Sequence, residues 1–274
     1  MAINNFIPTV WSETLYTELE GEYVGVKNCA REFEGDIKGV GDCVKIAGVG
    51  PVSVFDYAKN TDMSSPETLS DSIRTLEISR AKAFNFQIDD IDRAQQTPKI
   101  MSAAMKNAAA ALSSEADKYV FSLYTEAGEG NTIDASGATH ENIVDFVLEA
   151  REKLVSGGAL GSGDLVLEVS PAVASLLLKA KLLTATANEE SLGAGYIGNF
   201  IGFEVYTSSN VSVVSGAHTC FARTQRAIAF AEQLSEIEAY RPEARFADAV
   251  KGLHLYGAKV IYPSELVVLN VTVA

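Results

Sequence analysis

The densest group of ligand-type side chains in the sequence is Asp89, Asp90 and Asp92. Carboxylates this close can hold a hard divalent cation through oxygen ligands. A calcium loop would also need a glycine turn and a distal glutamate, and Ile91, Arg93 and Ala94 stand there instead. The plainer reading is acidic side chains at a strand-to-helix junction, favoured by the positive end of the helix downstream. His140, His218 and His254 are the only histidines, and only His218 has a cysteine nearby, Cys220. That pair falls short of the three or four ligands zinc requires. As a nucleophile pair, two residues apart on a strand, it would rest on nothing more than the period-two alternation. Packing or a hydrogen bond is the better reading of each histidine.

Glycine-rich runs raise the question of phosphate binding. Gly157-Gly158-Ala159-Leu160-Gly161-Ser162-Gly163 leads into a strand, whereas a phosphate-cradling loop follows a strand and opens a helix. Gly193-Ala194-Gly195-Tyr196-Ile197-Gly198 lacks the lysine and serine of a P-loop and also leads into a strand. No G-x-S-x-G nucleophile elbow occurs. The residues thus assign no catalytic, cofactor-binding or metal site, and the chain reads as a non-enzyme with no cofactor. The competing reading is a metal-dependent enzyme built on Asp89, Asp90, Asp92 and a distant histidine. It predicts bound divalent metal and loss of activity in Asp90→Asn.

With 274 residues and 47% hydrophobic content the chain can bury a substantial core, in one large or two modest domains. Its 22 basic and 36 acidic residues give a net charge of −14. The excess is spread: 8 basic and 16 acidic residues in 1–92, then 14 and 20 in 93–274. No basic lobe is left to neutralise nucleic-acid phosphates or anionic headgroups. Cys29, Cys43 and Cys220 are odd in number and widely spaced, which argues against a disulfide framework and fits a reducing compartment. The first basic residue is Lys27, so a secretory signal is not expected, nor is any stretch apolar enough for a membrane span.

The chain itself divides by texture. Residues 1–28 read as an arm, with Phe6, Ile7, Val10 and Trp11 around Pro8 and then Trp11, Leu15 and Leu19 at helical spacing. An arm this short must lay its aromatic residues on its own body or on a neighbouring subunit. Short strands follow at Cys43–Ile46 and Val52–Phe55; after a polar tip from Asn60 to Asp71, alternation returns at Ile73, Leu76, Ile78, Phe84, Phe86 and Ile88. The pattern predicts a long antiparallel hairpin that needs a partner surface. From about Thr97 to Tyr124, Met101, Met105, Ala108, Leu112, Ala116, Tyr119 and Leu123 predict a spine helix of roughly 40 Å. Gly128–Gly137 reads as a connector, and Thr139 as the cap of a second helix running to Leu154. Leu165–Val169 is a buried-type strand, and Ser170-Pro171 opens a helix continuing to Leu183. Strands are expected at Phe203–Tyr206, Ala227–Phe230, Gly252–Tyr262 and Leu266–Val273.

Arm, hairpin, spine helix and mixed domain, in that order, resemble the major capsid protein of tailed bacteriophages, the Hong Kong 97-type fold. The resemblance is carried by Trp11-Ser12 through Leu19, Glu34-Gly35-Asp36-Ile37, Gly41-Asp42-Cys43-Val44 and Phe84-Asn85-Phe86-Gln87-Ile88-Asp89-Asp90-Ile91-Asp92. It continues in Val169-Ser170-Pro171 and in Gly198-Asn199-Phe200-Ile201-Gly202-Phe203-Glu204-Val205-Tyr206-Thr207-Ser208-Ser209-Asn210. It implies an α+β fold with an N-terminal arm (1–40), an extended hairpin, the E-loop (41–90), a peripheral domain with the spine helix (91–133), and a mixed α/β axial domain (134–235). Residues 236–274 would then complete both domains as C-terminal strands.

In function the resemblance implies a coat protein, made in the host cytoplasm, whose hexamers and pentamers close into an icosahedral virion shell. That shell would enclose double-stranded DNA without sequence-specific binding or a membrane. A portal is implied, and scaffolding as a separate protein, because the arm follows Met1 almost directly. Covalent cross-linking is not expected: Lys59 lies near the hairpin tip, but no partner asparagine is identified. Phe6, Trp11, Phe55, Tyr57, Phe84 and Phe86 are the expected inter-subunit contacts, and removal of residues 1–28 is expected to leave a soluble, assembly-defective subunit. An encapsulin-like compartment shell has the same architecture; a tail or decoration protein would lack the spine helix.

Overall fold

The computed structural model describes residues 15, 17–32, 41–49, 56, 59, 71–89, 99–159, 165–180, 195–244 and 246–273. Its strands form three sheets. β1 (Cys43–Val49) and β2 (Asp71–Glu77) make an antiparallel pair, in register from Cys43 opposite Glu77 to Val49 opposite Asp71. β3 (Arg80–Asp89) joins a three-stranded antiparallel sheet, as the edge strand beside β11 (Ala247–Val260), which also pairs with β10 (Ile228–Tyr240). The third sheet has seven strands: β4 (Thr132–Ala138), β5 (Leu165–Val169), β6 (Tyr196–Phe200), β7 (Phe203–Thr207), β8 (Val213–Val214), β9 (Ala217–Thr224) and β12 (Leu266–Val273). Their order is β4-β12-β9-β5-β7-β6, with β8 on β9. It is a mixed sheet, parallel at β4–β12 and β5–β7 and otherwise antiparallel.

Helix α1 (Lys99–Phe121, 23 residues) is the spine the alanine-rich periodicity predicts, and it continues as a 3-10 turn over Ser122–Glu126. Met105, Ala109, Leu112, Ala116 and Val120 recur at steps of three and four and are buried. They share a core with Leu15, Leu19, Tyr23 and Val26 of the arm and with Phe230, Val250 and Tyr256 of the three-stranded sheet. Helices α2 (Ile143–Ser156) and α3 (Pro171–Lys179) cover the seven-stranded sheet around a second core that includes Val147, Leu154, Val173, Phe203, Val205 and Leu269. Smaller still, a third cluster seats the base of the hairpin: Val44, Ile46, Leu76 and Ile78 lie on Ala229, Ala231 and Leu255. Free-standing, two strands would be marginal, and this base is what anchors them.

Several expectations are corrected. The return limb does not run on to Ile88: β2 leaves its partner at Glu77, and β3 pairs with β11 instead. The crossing point is Gly257, where a Cβ would lie 2.2 Å from the Glu77 carbonyl oxygen, so only glycine lets the two backbones pass. Gly128–Gly137 is not simply a connector, because it contains most of β4. With one large apolar residue, Ile133, that strand has little local signal and is defined by pairing with β12, far along the chain. The glycine-rich run before Phe203 likewise contains β6. Asn142, not Thr139, is the N-cap residue of α2, although its own side chain bonds back to the Thr139 N–H at 2.7 Å. Ser170 caps α3 as expected, accepting the Val173 N–H at 3.4 Å, but that helix ends at Lys179, with Ala180 as its C-cap.

Two glycines of β11 test the crossing. At Gly252 the atoms in the way belong to the Phe84 ring, 2.4 Å from a built Cβ, and a half-buried ring can swing aside. At Gly257 the obstruction is backbone. Gly257→Ala is expected to cost about 1–3 kcal/mol or more, and Gly252→Ala clearly less. Urea unfolding of the two variants side by side checks this, and equal costs would contradict it.

Candidate functional site

Three buried carboxylates, Asp117, Glu168 and Glu232, enclose the arm between Tyr23 and Arg31. Each comes from a different element: the spine helix, the seven-stranded sheet and the three-stranded sheet. The arm is therefore held where the two main cores meet.

At the centre, Arg223 of β9 is fully buried against Glu168 of β5. Its Nε donates to Oε2 and its Nη2 to Oε1, both at 2.9 Å, a bidentate fork. The same guanidinium donates to the Asn28 carbonyl and, at 2.9 Å, to the Gly25 carbonyl. Asn28 completes the ring, with Nδ2 donating to Glu168 and to the Val24 carbonyl, each at 3.1 Å. Burial alone would lower the Arg223 pKa, but Glu168 beside it outweighs that and raises it, so the guanidinium stays charged. A buried pair of this kind is a weak source of net stability, yet removing one partner is costly because the other charge stays behind.

Asp117, on the sheet-facing side of α1, accepts the N–H of Val24 at 3.1 Å and of Val26 at 2.9 Å. Burial pushes its carboxyl up to about 6 against those two hydrogen bonds. Gly25 between them fits closely, since a Cβ there would stand 3.1 Å from the Phe121 ring.

Glu232 of β10 accepts from the Tyr23 hydroxyl and from Arg31 Nη2 at 2.6 Å, and shares a hydrogen with His254 Nε2 at 2.8 Å. Burial first, and Glu232 second, raise the Tyr23 pKa, so the phenol remains a donor. Between these contacts Ala30 pairs with Ala229 as an isolated parallel bridge, donating to the Ile228 carbonyl and accepting from the Phe230 N–H, each at 2.9 Å.

This overturns one expectation. Leu15, Leu19, Tyr23 and Val26 are buried in the subunit's own core, so a chain cut at residue 28 is expected to lose fold and not assembly alone. Phe6, Trp11, Phe55 and Tyr57 lie outside the described residues. Phe84 and Phe86 occupy one face of β3, ring centroids 5.9 Å apart and stacked, half-buried against the spine core. Asp89 closes β3 opposite Ala247, while Asp90 and Asp92 lie outside the described residues.

Elsewhere the chemistry is quiet. His218 and Cys220 share β9, but Cys220 is buried with its thiol pushed up to about 12 by burial, which leaves it a poor nucleophile. Cys29 is likewise pushed up to about 12 by burial, and all three cysteines are free. Among the described residues no group of three or more His, Cys, Asp or Glu side chains could hold a metal ion. No described helix is long and apolar enough to cross a membrane.

Glu168, Arg223, Asp117 and Glu232 are residues the sequence reading passed over. The signal was present for Glu168: a lone carboxylate inside Leu-Val-Leu-Glu-Val, a strand buried at every position, must have a buried partner.

Two predictions follow from the clamp. Arg223→Met strands Glu168 and is expected to cost about 3–5 kcal/mol, whereas Arg223→Met with Glu168→Leu should recover much of it. Circular dichroism during urea unfolding of the two variants measures the difference, and additive losses would contradict it. Asp117 gives a pH signature. Its folded pKa of about 6 lies above its ordinary 3.8, so the folded chain holds the proton more tightly. Its contribution is greatest at low pH and falls as pH rises from about 4 to 6, on the order of 2–3 kcal/mol in all. Asp117→Asn should flatten that part of the stability–pH curve; an unchanged slope would contradict the assignment.

Comparison with known proteins identifies the architecture. A family model described as phage capsid protein matches residues 74–269, well over half of the chain. A chain from a solved structure of Mycobacterium phage Che8 is 28% identical, with 90% of this chain and 91% of that one covered and a TM-score of 0.68. The capsid of Ralstonia phage GP4 has a TM-score of 0.71 at 11% identity, covering 93% and 91%. The SrpI encapsulin of Synechococcus elongatus shares the fold more distantly, with a TM-score of 0.56, 10% identity and 75% and 78% covered. No curated protein matches the chain in sequence. With an α+β architecture of the Hong Kong 97 type and a family model across most of its length, the chain belongs to the phage capsid protein family, as a major capsid protein of a multi-subunit virion shell.

Proposed function

We propose that the shell is icosahedral, built from hexamers and pentamers of this chain, and that it encloses double-stranded DNA without reading its sequence. The observation that carries this is the likeness to a phage protein along nine-tenths of the chain, at 28% identity. The net charge of −14 supports it, because an acidic surface lets packaged DNA slide rather than adhere.

The division of labour follows the textures of the chain. Residues 1–40 act as the arm and 41–79 as the extended hairpin laid over a neighbour, shorter than 41–90 because β3 stays in the subunit's own three-stranded sheet; 91–133 act as the peripheral domain, 134–235 as the axial domain, and 236–274 as strands completing both. The half-buried Phe84 and Phe86 belong to the surface a neighbour's hairpin would cover, with Phe6, Trp11, Phe55 and Tyr57 as its counterparts. Synthesis in the bacterial cytoplasm, a separate scaffolding protein and a portal complete the reading, and the subunit's role is structural, without catalysis. A compartment shell with protein cargo has support from fold alone, at 10% identity, and is the second choice.

Electron microscopy and light scattering of the chain, expressed alone and with its neighbouring genes, test the reading. Closed particles tens of nanometres across are expected, and a monodisperse monomer under both conditions would overturn it. The arm supplies a sharper test. Deletion of residues 2–14 should leave a folded subunit that does not close into particles. Deletion of residues 2–28 should leave one that does not fold, since Leu15, Leu19, Tyr23 and Val26 are wholly buried in its core. Normal particles from the shorter deletion would contradict the role of the arm.

A further inference from the structure

The last turns of the spine helix and the start of β3 carry a cluster of cations. Lys82 of β3 and Lys118 of α1 bracket Glu115, with their Nζ atoms 2.8 and 3.1 Å from its two oxygens, and all three side chains are about half exposed. Arg80, exposed at the first position of β3, lays its guanidinium over the Tyr119 ring, 5.0 Å from the centroid. That ring is itself fixed, edge-on to Tyr256 at 5.7 Å and with its hydroxyl 3.3 Å from Ser79 Oγ. An aromatic platform of this kind holds a guanidinium in place and leaves its N–H donors unspent. Among the described residues no carboxylate pairs with Arg80, and Glu77, exposed at the end of β2, pairs with none of the three cations.

In a chain of net charge −14, three cations around one carboxylate reverse the local sign. None of the exposed large apolar residues belongs to the cluster; Leu148, Val213 and Phe246, for example, lie on other parts of the chain. A protein partner is held through an apolar core inside a polar rim, and this surface has no such core. Arginine and lysine beside the Ser79 and Tyr119 hydroxyls are instead the set of groups that contacts nucleic-acid phosphates. Phe84 and Phe86 follow further along the same face of β3, so a neighbour's hairpin lying on them leaves the cation end of the strand open.

We propose that this cluster is a phosphate contact, through which Arg80, Lys82 and Lys118 touch the backbone of the enclosed duplex without reading its bases. The proposal rests on the DNA-enclosing shell argued above, and adds to it which part of the subunit faces the lumen. Glu115 keeps the contact weak. Two ammonium groups already share its charge, so a duplex releases few counterions at each subunit and stays mobile over a surface that is elsewhere repulsive.

Lysine modification tests this on the unaltered chain. DNA-filled particles, and the same particles emptied of DNA, are treated with an amine-reactive acetyl ester, and modification of Lys82 and Lys118 is read by peptide mass spectrometry relative to Lys153 of α2. Both lysines are expected to react more slowly in filled particles, by about threefold or more, because bound phosphates occupy their ammonium groups. Equal rates in filled and emptied particles would overturn the proposal. So would equal slowing in both relative to dissociated subunits, which would assign the cluster to a neighbouring copy. Either result leaves the shell reading intact, whereas particles that never take up DNA, or no particles at all with the neighbouring genes present, would overturn both.

Discussion

The structure depends on one buried charge pair. Arg223 and Glu168 meet with no exposure to solvent, and the guanidinium still has donors to spare for the carbonyls of Gly25 and Asn28. Without that arrangement the arm would be a polar strand of backbone laid against a hydrophobic core, its carbonyls unsatisfied. Such groups cost more than most apolar contacts return. Asp117 and Glu232 extend the same logic to the N–H groups and side chains on either side. The arm is thus a structural member that ties the spine helix to both larger sheets.

This placement explains the division between interior and assembly. Leu15, Leu19, Tyr23 and Val26 complete the spine core, so the subunit is finished only when the arm is docked. The hairpin is held differently: its base is seated by Val44, Ile46, Leu76 and Ile78 on Ala229, Ala231 and Leu255. A shell protein needs both kinds of element, one that fixes its own fold and one whose burial awaits a neighbour. The family assignment agrees with that economy.

Much of this was legible in the sequence, and the physical reasons are specific. The spine helix announced itself because Met105, Leu112 and Ala116 keep a helical period in an alanine-rich stretch, and α3 because Ser170-Pro171 is a strong start signal. Two strands, β4 and β6, were hidden in glycine-rich runs, since long-range pairing and not local propensity defines them. Parting β2 from β3 depends on one backbone crossing at Gly257, a contact no periodicity encodes. Of the clamp, Glu168 was readable as a charge in an apolar strand, but its partner lay 55 residues away and could not be named.

The central claim is that the arm from Tyr23 to Arg31 is as much a part of the folded core as the sheets it joins. Native-state hydrogen exchange of the Val24, Val26 and Ala30 amides tests this directly, since the first two donate to Asp117 and the third to the Ile228 carbonyl. The account predicts that all three exchange only through global unfolding, with the same opening free energy as the amides of β9 and β10. Exchange at rates typical of a fraying terminus, while those strands stay protected, would contradict it.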